Sequence, residues 1–138
     1  MALTTTREDY LRAVYRLQED GADAVRAVDL AKYLGLSKST VSERLQELAK
    51  QKLIQSPKYG TITFTKKGNQ IAQNLTRKHR LIEVFLTKVL HMKEGEVHVE
   101  AHALEHALSD KVAARLEALL GSPTTDPHGK HIPKLKKK

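Results

Sequence analysis

Between Asp29 and Gln51 two short amphipathic segments stand only three residues apart, and that spacing restricts the fold more than any other feature of the chain. In Asp29-Leu30-Ala31-Lys32-Tyr33-Leu34 the apolar Leu30 and Leu34 lie at i and i+4, on one face of a helix. Gly35 is placed to end that helix in the left-handed conformation, which a residue without Cβ enters freely. Leu36 is expected to plug the turn. Ser37 is expected to cap a second helix from Lys38 to about Gln51, with Val41, Leu45 and Leu48 on its buried face. Two helices joined this tightly cross at a steep angle.

The flanking segments extend the pattern. Thr6-Arg7-Glu8-Asp9 resembles a capping box with Asp in the usual place of Glu, and it predicts a helix from about Arg7 to Glu19. Tyr10, Leu11, Val14, Tyr15 and Leu17 give that helix its apolar face, and it stops near Gly21. Val25 to Val28 is either a short strand or an extended lead-in. Leu53–Ser56 and Thr61–Thr65 read as two strands around the turn chemistry of Pro57-Lys58-Tyr59-Gly60. Helix, Gly-ended turn, Ser-capped helix and hairpin follow in the order of a winged helix-turn-helix, whose second helix lies in the major groove of DNA.

The residues at the start of that helix suit the task. Ser37, Lys38, Ser39, Thr40 and Ser42 are small or basic, so the backbone can come close while the side chains donate to phosphates or base edges. Arg44 and Lys50 lie further along, and Lys58 and Tyr59 sit at the wing tip. Glu43 either accepts from cytosine or pairs with Lys32 or another neighbour. Double-stranded DNA is the expected partner, and the formal charge of +8, from 24 Lys and Arg against 16 Asp and Glu, agrees with it. Aromatic residues at 4% disfavour a single-strand binder built on stacking platforms.

The second half reads as helical. Thr65 caps a long helix from Lys66 to about Leu90 with Ile71, Leu75, Ile82, Phe85, Leu86 and Val89 as its apolar stripe, and Gly68 is tolerated near its start at some cost. A fifth helix runs from about Glu94 to Leu108 with Val97, Ala101, Leu104 and Leu108 facing inward. Ser109-Asp110 caps a sixth, with Val112, Leu116, Leu119 and Leu120 apolar and Gly121 at its end. Ser122 to Lys138 is read as a mobile basic tail. The fold class is mostly α with a small β-hairpin, divided at 1–72 and 73–138.

With no Cys, thiolate metal sites and disulfides are excluded. Histidine takes their place. His98, His102 and His106 are spaced four apart, so one broad helix face presents all three imidazoles with Glu105 beside them. His79 and Glu83 lie at i and i+4 on the long helix, a common way to hold a divalent ion. The order His102-Ala103-Leu104-Glu105-His106 differs from the His-Glu-x-x-His of metalloproteases, so Glu105 reads as a ligand and not a general base. No nucleophile–base set or phosphate-cradling Gly loop is evident, and an enzyme is not expected. His91, His128 and His131 are read as surface or tail residues. No apolar run approaches the roughly 20 residues of a membrane span, and the N-terminus lacks a signal-peptide stretch, so a cytoplasmic protein without a membrane partner is expected.

Taken together, Asp9-Tyr10-Leu11 with Tyr15, Leu36 to Leu48, Arg77-Lys78-His79-Arg80-Leu81 with Glu83, and Val97-His98-x-Glu100-Ala101-His102-x-x-Glu105-His106-x-x-Ser109-Asp110 resemble the diphtheria toxin repressor and manganese transport regulator family of bacterial metalloregulators. The likeness covers roughly Thr5 to Leu120. It implies a homodimer whose helical second domain serves dimerisation and metal binding, a palindromic operator, and control of metal-transport genes by a divalent corepressor. It also implies a first metal site of Asp9, His102, Glu105 and His106 and a second of His79, Glu83 and His98. The iron branch carries Met and Cys where this chain has Asp9 and His102; the manganese branch has Glu where Arg12 and His102 stand. Without sulfur the first site is harder than the iron type, and two imidazoles with two carboxylates suit manganese, iron or zinc, with intrinsic affinity favouring zinc. The resemblance is what puts manganese first, with zinc or iron(II) as alternatives. The chain is expected to be a two-domain form lacking the iron branch's third, barrel-like domain. Two rival readings are a winged-helix regulator gated by an organic ligand, and a small metal-binding protein or metalloenzyme without a DNA role.

Overall fold

The computed structural model describes residues 5–21, 25–55 and 60–134. The chain forms two compact units, Met1–Ala72 and Gln73–Lys138.

The first unit contains α1 (Thr5–Glu19), α2 (Ala27–Leu34), α3 (Lys38–Lys50), β1 (Ile54–Gln55), β2 (Thr63–Phe64) and the first turns of α4 (Lys66–Lys88). Thr6 is already inside α1, so Thr6-Arg7-Glu8-Asp9 is not a capping box. Helix α2 begins two residues before Asp29 because Asp29 Oδ2 accepts from the Arg26 backbone N–H at 3.0 Å, which fixes the first turn. Val25 is the extended lead-in, and its carbonyl accepts from Ile62 N at 2.7 Å. Gly35 takes the left-handed conformation, φ 69° and ψ 32°, and its N–H reaches back to α2. Ser37 caps α3, its Oγ accepting from Thr40 N at 3.2 Å.

Leu11, Val14, Leu30, Val41, Leu45, Leu48, Leu53 and Ile62 share one core. Leu36 does not plug the turn: it is 44% exposed, outside the core that Leu30 and Leu48 share. The two strands pair antiparallel with Ile54 opposite Phe64 and Gln55 opposite Thr63. Both are shorter than the sequence pattern suggests, and the turn residues Pro57, Lys58 and Tyr59 lie outside the described residues.

In the second unit α4 continues from Gln73, followed by α5 (Glu94–Glu105) and α6 (Asp110–Leu119). Thr65 caps α4 as expected, its Oγ1 accepting from Gly68 N at 3.1 Å. Ser109 does the same for α6 through Val112 N. The apolar reading of α5 and α6 needs correction. The buried stripe of α5 is Val97, Ala101 and Glu105, at four-residue steps, which leaves Leu104 47% exposed. On α6 Ala113 is the buried residue, whereas Val112 and Leu119 are exposed at 52% and 68%. Val89, near the end of the long helix, is also exposed.

Nor is the segment after Gly121 a loose tail through Lys134. It folds back on itself through a Thr125–His131 bridge, and Ile132 is buried against Leu81 and Val84 of α4. Arg80 Nη1 donates to the His131 carbonyl at 2.5 Å, and Asp126 Oδ1 accepts from the backbone N–H groups of His128 and Lys130. Two buried apolar residues, Ile132 and Pro133, and side-chain hydrogen bonds to backbone groups anchor a segment whose composition alone suggests a linker. The final lysines, 136 to 138, lie outside the described residues.

Candidate metal centre and nucleic-acid interface

The metal-ligating side chains of the second unit gather around two buried carboxylates. Glu105 occupies an inward position of α5 and is 0% exposed; Glu83, on the inner face of α4, is 2% exposed. A carboxylate taken out of water costs several kcal/mol unless charge or hydrogen bonds compensate it. Here the polar groups that surround the carboxylates are imidazoles.

His102 Nδ1 lies 2.9 Å from Glu105 Oε1, and His106 Nε2 lies 3.8 Å from the same oxygen. One ligand atom from each of His102, Glu105 and His106 falls within 4.8 Å of the others. Helix α5 ends at Glu105, but His106 keeps right-handed helical angles as its cap, so the histidine face continues one residue beyond the helix. Asp9, the remaining residue of the expected first site, lies partly buried on α1 in the first unit.

Glu83 has His79 Nε2 3.5 Å from Oε1 and His98 Nδ1 3.9 Å from Oε2. One ligand atom from each of His79, Glu83 and His98 falls within 4.8 Å of the others. The first and second groups touch, since His79 Nδ1 lies 3.2 Å from Glu105 Oε2. Burial pushes the Glu83 carboxyl up. Hydrogen bonding and charge from His79, with help from Asp126 and His128, outweigh burial and hold it below the ordinary carboxylate range.

Sequence reasoning missed a third group. His128, read as a tail residue, places Nδ1 3.7 Å from Glu83 Oε2 and 3.9 Å from Asp126 Oδ2. Glu83, Asp126 and His128 each offer a ligand atom within 4.8 Å of the others. The signal was Asp126-Pro127-His128-Gly129, a turn with two ligating side chains two residues apart, but nothing in the sequence says that this turn packs on α4. These donor sets fit a divalent cation: oxygen and imidazole nitrogen without sulfur, around carboxylates whose charge needs a counter-charge.

In the first unit Ser37, Lys38, Ser39, Thr40 and Glu43 are exposed at the start of α3, and Ser42 is partly so. The hydroxyls of Ser37, Ser39 and Thr40 adjoin one another: Ser37 Oγ donates to Thr40 Oγ1 at 2.8 Å and lies 3.3 Å from Ser39 Oγ. Glu43 takes no ion-pair or hydrogen-bond partner among the described residues, Lys32 included. Lys58 and Tyr59 lie outside the described residues.

A two-stranded, mostly helical chain with a capped, polar helix in one unit and a histidine–carboxylate cluster in the other defines the class, and comparison with known proteins specifies it. Residues 2–62 match the family described as iron dependent repressor, N-terminal DNA binding domain. Residues 65–134 match iron dependent repressor, metal binding and dimerisation domain. The chain belongs to the iron-dependent repressor family.

It is 38% identical over 133 residues to the iron-dependent repressor IdeR of Mycobacterium tuberculosis, a match covering 96% of this chain and 57% of that protein. It is 35% identical over 133 residues to the diphtheria toxin repressor of Corynebacterium diphtheriae, covering 96% of this chain and 58% of that protein. Among solved structures, a manganese-dependent transcriptional repressor in complex with manganese superposes with a TM-score of 0.86 at 42% identity, covering 96% of this chain and 60% of the other. The manganese regulator SloR superposes with a TM-score of 0.82 at 38% identity, covering 95% and 60%. The chain therefore spans less than two thirds of the length of these relatives.

Proposed function

We propose that this protein is a metal-dependent transcriptional repressor that binds a palindromic operator as a homodimer when loaded with a divalent metal, and so controls metal-uptake genes. The observation that carries the reading is the pair of buried carboxylates, Glu83 and Glu105, ringed by imidazoles in a chain whose other unit presents a capped helix with exposed hydroxyls and Lys38. Residues 1–72 would read DNA; residues 73–138 would bind metal and pair with a second copy. The exposed apolar side chains Val99, Leu104, Val112 and Leu119 support self-association, since burying them removes apolar surface from water.

His102, Glu105 and His106, with Asp9 as the ligand from the first unit, form the proposed first metal site. His79, Glu83 and His98 form the second, and Asp126 and His128 stand within reach of the Glu83 carboxylate. A metal drawing ligands from both units restricts their relative motion and stabilises the DNA-competent arrangement by differential binding. Manganese is the first expectation and zinc or iron(II) the alternatives, because nitrogen and oxygen donors accept all three. The histidine–carboxylate groups are regulatory ligands in this reading, not a catalytic site. Action on chromosomal operators places the protein in the cytoplasm; no helix among the described residues is long and apolar enough to cross a membrane.

The test is fluorescence anisotropy on a pool of genomic and random duplexes, with metal-stripped protein compared against manganese, iron(II) and zinc at buffered free concentrations. Tightening on a discrete palindromic fragment by one metal supports the reading. Equal affinity without metal overturns the metal-dependent part. Asp9→Ala should weaken the metal response without unfolding the chain, and an unchanged response removes Asp9 from the site.

A further inference from the structure

The recognition surface of α3 holds one residue that general attraction to DNA does not explain. A helix turns about 100° per residue, so Glu43 lies about 180° from the stripe formed by Val41, Leu45 and Leu48, in the middle of the outward face. Ser39, Gln46 and Lys50 share that face and are exposed with it. The other acid of α3, Glu47, is already neutralised by two arginines: Arg7 Nη2 at 3.2 Å and Arg44 Nη1 at 3.7 Å. Glu43 has no such partner among the described residues. A free carboxylate brought against a phosphate polyanion is repelled, and an outward face used only for backbone contact would do better without it. One group in the major groove compensates it well. The N4 amino group of cytosine donates a hydrogen bond, whereas guanine presents acceptors there, thymine an acceptor and a methyl, and adenine an acceptor beside its donor.

We infer that Glu43 is a specificity-determining residue that selects cytosine at one fixed position in each half-site of the operator. The inference rests on the DNA-binding reading proposed above. In it Ser37, Lys38 and Thr40 set the helix on the backbone at its N-terminal end, and Glu43, one turn further on, reads a base edge. The substitution Glu43→Gln keeps the size of the side chain and replaces an acceptor-only group by one that both donates and accepts. That is the pattern matching adenine N6 and N7.

The test is selection from a randomised duplex pool followed by anisotropy on single-base variants of the selected sequence. Wild type and Glu43→Gln are both loaded with whichever of manganese, iron(II) or zinc gives the tightest binding in the assay above. Wild type is expected to require cytosine at one column per half-site and to lose roughly tenfold or more in affinity when it is replaced. Glu43→Gln is expected to keep the rest of the motif and to shift that column toward adenine. If both proteins select the same motif, the assignment of Glu43 is overturned and the DNA-binding reading stands. If wild type selects no motif under any of the metals, both fall. Unchanged far-UV circular dichroism, expected for an exposed position, excludes misfolding as the cause of a shift.

Discussion

Gly68→Ala should destabilise the chain even though it replaces the poorest ordinary helix former by the best. Gly68 sits in the first turn of α4, and a Cβ there would lie 1.8 Å from the Leu53 carbonyl oxygen and 2.8 Å from its carbonyl carbon. Both are backbone atoms, so relief requires the β1 end of the chain to move by more than an ångström. That oxygen accepts from Thr65 N and Thr65 Oγ1, each at 3.1 Å, and Leu53 itself is 1% exposed in the core. Losing two hydrogen bonds costs about 2 kcal/mol. Disturbing a packed core residue costs about 1–3 kcal/mol more. The gain in helix propensity returns only about 1 kcal/mol. The net loss is about 2–4 kcal/mol, a fall of roughly 1–2 M in the urea midpoint followed by circular dichroism on metal-free protein. Gly95→Ala is the internal control: it lies in α5 with no atom within 4 Å of the added Cβ, so the same substitution should stabilise by up to about 1 kcal/mol. A stabilised Gly68→Ala would refute the close approach to Leu53, and with it the way α4 is seated against β1.

Ile132→Ala should loosen the segment that carries Asp126 and His128, at a cost of about 2–4 kcal/mol for a buried aliphatic side chain. Faster amide exchange at residues 124 to 132, with α1 to α3 unaffected, is the expected reading, and equal protection would contradict the packing. Asp110 is held below the usual carboxylate range by hydrogen bonds from Asn74 and Lys78 and by the charges of Lys78 and Arg77. A depressed carboxylate stabilises the fold above its unfolded pKa of 3.8 and loses that contribution as pH falls through the lower folded value. Asp110→Asn should therefore cost below about 1 kcal/mol at neutral pH, Asp110 being exposed, and nothing at the acid end; denaturation curves between about pH 2 and 6 should show the two proteins converging. Lys38→Ala should weaken DNA binding and flatten its salt dependence by about one counterion while metal affinity stays unchanged; an unaltered salt slope would take Lys38 off the phosphate contacts.

Local chemistry settled what could be read in advance. Gly35, Ser37, Thr65 and Ser109 act on backbone groups within a few residues of themselves, so each turn and cap was legible from the sequence. The grouping of His102, Glu105 and His106, and of His79 with Glu83, was legible for the same reason: helix periodicity alone puts them on one face. Tertiary packing decided the rest. It chose Glu105 over Leu104 for the interior of α5, because the stripe from Val97 and Ala101 continues four residues on whatever side chain stands there. It required glycine at position 68, which sequence could only mark as costly, because the reason is a carbonyl fifteen residues away. It also brought Asp126 and His128 to Glu83, a contact across more than forty residues that rests on the burial of Ile132 and on Arg80 holding the His131 carbonyl. Periodicity and capping carry information over a turn or two of chain, whereas a site assembled from distant segments exists only once the core beneath it has formed.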